Sequence, residues 1–144
     1  MIRILLILLF LHTSPLWAHA SEGKMSLHVG PDKGVLEVDE EQGFVLRSSA
    51  ERNFSIQKTR LRGGPLWVIP SSCLVYSGLE TQVMRQRSGH WKSVDVEVIR
   101  KSGSQAEVRS KDLLPGDLLA AAGLGFLKII EQSVMTPHTD AHDD

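Results

Sequence analysis

The chain has 144 residues, 16 Lys and Arg against 17 Asp and Glu, and a formal net charge of −1. That length suits one domain, and the near-neutral balance gives no sign of the basic stripe that a nucleic acid or an anionic membrane would require. A single cysteine, Cys73, excludes an intramolecular disulfide.

The opening MIRILLILLFLHTSPLWAHA has Arg3, an apolar core from Ile4 to Leu11, Pro15, and then Ala18-His19-Ala20. Small residues on either side of His19 read as a signal peptide over residues 1–20, cut after Ala20. The apolar run falls well short of the about 20 residues of a membrane-spanning helix. With no Cys after the cut and no twin arginine, the general secretory route is expected. An exported fold without disulfides must rely on an ordinary hydrophobic core, which points to a bacterial periplasm. Residues 21–33 (SEGKMSLHVGPDK) read as a flexible leader, and residues 134–144 as a disordered tail rich in acid and histidine. The ordered body is expected over 34–133.

Within the body, GFVL is a strand, and Ser48 stands three residues before Glu51, the spacing of a capping box. That places a short helix over Ser48–Asn53. FSIQKTRL then alternates Phe54, Ile56 and Lys58 against Ser55, Gln57 and Thr59. After Gly63 and Gly64 come two short apolar runs, LWVIP and CLVY. ETQVMRQ and WKSVDVEVIR read as strands joined by RSGH, whose Gly suits a tight hairpin. Val94, Val96 and Val98 share one face against Asp95 and Glu97. KSGSQ is a turn, QAEVRS a strand, LLPGDLL a Pro-Gly tight turn, and FLKII a final apolar run. Short strands at regular spacing with Gly and Pro turns predict an all-β fold: a small barrel or sandwich of about six or more antiparallel strands with one short helix.

Reactive chemistry is sparse. Ser71, Ser72 and Cys73 lack a placed base, no G-x-S-x-G occurs, and no βαβ pattern surrounds Gly123-Leu124-Gly125, so no enzyme is expected. Cys73 with Met84 or Met25 would be soft copper(I) ligands, but a cysteine in an apolar run behaves as a small hydrophobe. His28 and His90 read as solvated. The tail HTDAHDD gathers His138, Asp140 and His142, donors suited to a divalent metal such as zinc, nickel or copper(II), without fixed geometry. No resident cofactor is expected, a divalent metal at this tail apart. Trp67, Tyr76 and Trp91 read as core or strand-edge aromatics.

The ordered series Ile69, Pro70, Cys73 and Leu74, then Val83, Gly89 and Trp91, then Val94, Val96 and Val98, then Leu113, Gly116, Asp117 and Leu119 ending in Gly123 resembles a known grammar. It is similar to the membrane-proximal domain of periplasmic adaptor subunits, or membrane fusion proteins, of RND-type efflux pumps, especially the heavy-metal branch. GFVLRSSAERNFSIQKTRL resembles the opening piece of that domain. The resemblance implies that the lipoyl, hairpin and barrel domains of the relatives are inserted where Gly63 and Gly64 stand here. What remains is a docking surface without catalytic residues. Its implied partner is an RND-type transporter or a full-length adaptor, and its expected contact residues are Arg87, His90 and Trp91 on the hairpin with Leu114 and Asp117 on the Pro-Gly turn. The alternative is a periplasmic metal-binding or chaperone protein that uses the His/Asp tail.

Overall fold

The computed structural model describes residues 34–135. The expected signal peptide and leader lie outside the described residues, as do His138, Asp140 and His142 of the tail.

Two antiparallel sheets and one long helix make three layers. The larger sheet contains β1 (Val35–Asp39), β2 (Gly43–Leu46), β3 (Gln57–Arg60), β5 (Leu74–Ser77), β6 (Glu80–Arg87), β7 (His90–Asp95) and β10 (Leu118–Ala122). Its order is β1-β2-β7-β6-β10-β3, with β5 on the start of the β6 edge that β10 occupies further along. The smaller sheet is β4 (Leu66–Pro70), β9 (Gln105–Arg109) and β8 (Glu97–Ser102), in that order. The described residues thus form an all-β, sandwich-like body of two open sheets.

The expected hairpin forms between β6 and β7. Ser88 and Gly89 have φ of 50° and 88°, the pair of left-handed residues that a two-residue turn matched to strand twist demands. Alternation on β6 then sends Val83 to one side of the sheet and Met84 to the other. Val83 joins Trp67, Ile69, Cys73, Val94, Val96, Val108 and Leu119 in the core between the sheets. Met84 joins Phe44, Trp91, Ala120 and Leu127 in a second core beneath α2 (Leu124–Met135). Val94, Val96 and Val98 do share a face, but not one strand. The chain leaves the larger sheet after Asp95 and enters the smaller at Glu97, while the Val96 N–H donates to the Thr81 carbonyl at 2.9 Å.

FLKII is helical rather than extended. It lies in α2, where Leu124, Leu127, Ile130 and Val134 recur at helical spacing and face the second core. The helix itself continues past Ser133 to Met135. The short helix α1 (Ser48–Asn53) stands where expected, but its N-cap is Arg47 and no side chain caps it. Glu51 does not close a capping box, because its carboxylate is turned to other donors.

A helix and a strand over FLKII differ in one measurable way, since a strand would put Leu127 and Ile129 on the same face. Leu127 is fully buried and Ile129 is 61% exposed. Leu127→Ala should cost about 2–5 kcal/mol and Ile129→Ala under about 1 kcal/mol. Urea denaturation of the two variants checks this, and equal losses would contradict the helix.

Candidate functional site

The Pro-Gly turn is fixed by its own chemistry. Pro115 presets φ and Gly116 takes φ of 93°, so Leu114–Asp117 forms a type II turn with the Asp117 N–H donating to the Leu114 carbonyl at 3.2 Å. The Asp117 side chain reinforces it by accepting from the Leu114 N–H at 2.8 Å. Leu61 seats the turn against the end of β3: its N–H donates to the Asp117 carbonyl at 2.8 Å, and its carbonyl accepts from the Gly116 N–H at 3.0 Å.

The same carboxylate joins this turn to the hairpin. Arg87 Nε donates to Asp117 Oδ1 at 2.8 Å and Nη2 to Oδ2 at 2.7 Å, a two-pronged contact that fixes orientation as well as distance. Arg87 Nη2 also donates to the Asp112 carbonyl at 2.9 Å. Asp117 is buried. Burial alone would raise its carboxyl, but the Arg87 hydrogen bonds, the Leu114 N–H, and the charges of Arg87 and Arg85 hold it below the ordinary carboxylate value. The Asp117 hydrogen bond likewise raises Arg87. Arg85, one pleat further in, is also buried and reaches the Asp112 carbonyl at 3.4 Å. Desolvation and the neighbouring Arg87 charge lower it.

Between hairpin tip and turn lies an open groove of about 330 Å³, lined by Arg60, Arg87, Gly89, Leu114, Pro115 and Asp117 among others. Leu114 stands exposed at its lip. Pro115 is shared with an adjoining hollow of about 380 Å³, lined by Gly64, Pro65, Trp67, Lys111 and Leu113.

Of the five residues nominated from the sequence, Arg87, Leu114 and Asp117 converge here. Asp117 is too buried to offer a contact and acts as the clamp of the groove. His90 pairs across from Arg87, but its ring is half-buried, with Nε2 3.7 Å from Glu37 Oε1 on β1. It does not line the groove. Trp91 is wholly buried in the second core, on the opposite face of the sheet. Neither residue is a solvated tip, because both belong to β7 and are covered by β2 and its neighbours.

The role of Glu51 is not one that its local spacing reveals. Its Oε1 accepts from Trp91 Nε1 at 2.9 Å and Gln86 Nε2 at 3.0 Å, and Oε2 accepts from Lys58 at 2.7 Å. Burial would raise this carboxyl, yet the three donors and the Lys58 charge keep it below its usual value. The Ser-x-x-Glu spacing was the only signal, and it pointed to a local partner.

Metal chemistry finds no support among the described residues. Cys73 is completely buried, which pushes its thiol up to about 11. Met84 sits in the other core, so the two sulfurs do not converge. No three His, Cys, Asp or Glu side chains gather there in a ligand-like group. No helix among the described residues is long and apolar enough to cross a membrane.

Comparison with known proteins returns no matching family model and no matching curated protein. A solved structure that is similar is the NMR structure of a 180-residue portion of SilB from Cupriavidus metallidurans CH34, encompassing its N-terminal metal-binding site and membrane-proximal domain. Identity is 17% and the TM-score 0.42, over 65% of this chain and 57% of that one. The present chain thus spans little more than half of that portion.

Because Asp117 is held ionised by its partners, it adds stability that is full above its unfolded pKa of about 3.9. That contribution is lost as pH falls through the lower folded value. Asp117→Asn should cost about 1–3 kcal/mol at neutral pH and should flatten the acid limb of the stability profile. Denaturant melts of both proteins between neutral pH and about pH 3 measure it, and parallel acid limbs would contradict the clamp.

Proposed function

We propose that this protein is a non-catalytic, adaptor-like accessory module of the periplasm, and that it docks on an RND-type efflux transporter, of the heavy-metal branch, or on the full-length adaptor beside it. The contact surface is the groove between the β6–β7 tip and the Leu114–Asp117 turn. One observation carries this reading: two turns nominated separately, with Arg87 and Asp117 thirty positions apart, are bolted together into one site by a half-buried bidentate bridge. The ordered motifs that resemble the membrane-proximal domain supply the class of partner.

The geometry suits docking better than catalysis. Both titratable groups at the centre are engaged with each other, so neither is free to move a proton. Leu114 and Pro115 present apolar surface on a backbone already fixed by hydrogen bonds, which lowers the ordering cost of association. An apolar side chain held up at the edge of a preformed groove is how an anchor contact is commonly built.

Leu114→Asp leaves every hydrogen bond of the turn in place and removes that anchor. In co-purification and titration of the full mature chain against a co-expressed transporter and adaptor, it should weaken association about ten-fold or more with an unchanged melting temperature. Equal association by the variant, or none by the unaltered chain under metal stress, would overturn the proposal.

A further inference from the structure

The charges around the groove do not balance. Arg60 and Arg62 flank Leu61, whose main chain is bonded to the turn, and both are exposed while Leu61 points inward. Lys111 lines the adjoining hollow on the other side of Pro115. Among the described residues none of these three cations has a carboxylate partner. Arg60 makes one long hydrogen bond, from Nη1 to the Gly116 carbonyl at 3.3 Å. Of the acids here, Asp117 is buried and already neutralised by Arg87, and the exposed Asp112 next to Lys111 acts on Arg85 and Arg87, which still leaves the cations in excess.

The adjoining hollow has a buried indole in its wall, whose environment reports on anything that binds there. Trp67 lines it and is 3% exposed, yet its indole N–H has no hydrogen-bond partner. The Cζ2–Cη2 edge of that ring lies against Gly64, where an added Cβ would come within 2.9 Å of it, and Nε1 is two bonds from Cζ2. A buried N–H left unpaired costs about 1–3 kcal/mol, and such donors usually have a partner. Trp91, the other tryptophan of the described body, has its partner in Glu51.

We propose that the partner inserts an acidic segment carrying an aliphatic side chain, with carboxylates facing Arg60 and Lys111 and the aliphatic group against Leu114 and Pro115. Occupation of the hollow changes the surroundings of the Trp67 ring that lines it. This rests on the docking reading above and adds the chemistry of the partner to it. Exposed cations at a rim act mainly by steering and by rejecting wrong partners, so the inference predicts selectivity and salt dependence as well as affinity.

The test uses the full mature chain and two fluorescein-labelled peptides, one alternating Glu and Leu, the other Lys and Leu. The acidic peptide should bind by anisotropy, weaken as NaCl rises from about 50 to about 300 mM, and leave the basic one unbound. Arg60→Glu with Lys111→Glu should lower its affinity at least about ten-fold. Arg100→Glu with Lys101→Glu, at the remote β8–β9 tip, should not. The salt series and a selective shift of the Trp67 over the Trp91 indole N–H resonance need no variant, so misfolding of a variant leaves the test intact. Equal binding of both peptides, an unmoved Trp67 signal, or capture by phosphatidylglycerol vesicles that the acidic peptide cannot compete away would overturn it. If Leu114→Asp loses the efflux component and the charge reversal does not, docking stands and the acidic partner falls. If the acidic peptide binds and no efflux component does, the reverse holds.

Discussion

Three carboxylates grip the β6–β7 hairpin, and the remaining elements are placed relative to it. Glu51 on α1 takes Gln86 and Trp91, Asp117 on the Pro-Gly turn takes Arg87, and Glu131 on α2 takes the Ser93 N–H at 2.6 Å and hydroxyl at 2.5 Å. Each is drawn upward in pKa by burial and brought below its ordinary value by the donors around it. A carboxylate with all its lone pairs occupied costs little to bury; one left without donors costs several kcal/mol. The hairpin therefore acts as a set of matched donors to which a helix, a turn and a second helix must dock in one orientation. Hydrophobic burial on its two faces supplies the driving force, and the carboxylates decide the register.

The two faces of the hairpin are unlike in what they support. On one side Met84 and Trp91 pack beneath α2, with Lys128 bridging Glu131, Ser93 and Gln82. That side is closed. On the other, the row Val83, Arg85, Arg87 runs outward from the inter-sheet core to the rim, changing from apolar to cationic as it reaches solvent. The loop from Ser110 to Asp117 covers the middle of that row, where the Asp112 carbonyl accepts from both arginines. The groove is what this cover leaves uncovered at the end of the row, so its position follows from the strand alternation of β6.

How much of this could be read from the residues depends on the range of the interaction. The RSGH and LLPGDLL turns were legible because their signals are local: left-handed residues, a Pro, a Gly and flanking alternation. The shared face of Val94, Val96 and Val98 was legible too, but its division between two sheets was not, since a chain crossing between layers keeps its side-chain period. FLKII leaves the choice open because four apolar residues around Lys128 fit a strand as well as a buried helix; the deciding positions, Leu124 and Val134, lie beyond it. Glu51 misled for the opposite reason. Its spacing from Ser48 offered a near partner, while its real ones include Trp91, forty positions away. The meeting of Arg87 with Asp117 required the order of β6, β10 and β3, which no local pattern encodes.

The Gly63–Gly64 link and the groove belong to one piece of geometry. Leu61 is bonded through its main chain to the Pro-Gly turn, and six residues later Trp67 is in the core between the sheets. The chain must pass from the larger sheet to the smaller within that span. Gly64 manages it at φ of 132° with its α-carbon against the Trp67 ring, a place with no room for a side chain. Gly63 and Gly64 also border the hollow that holds Lys111 and Pro115. A longer segment inserted at this link would leave the body beside the groove and crowd it. A link of a few residues leaves the same face open, with its cations unpaired and Leu114 raised. The shortness of the connection and the availability of the surface are then the same fact, seen once along the chain and once in space.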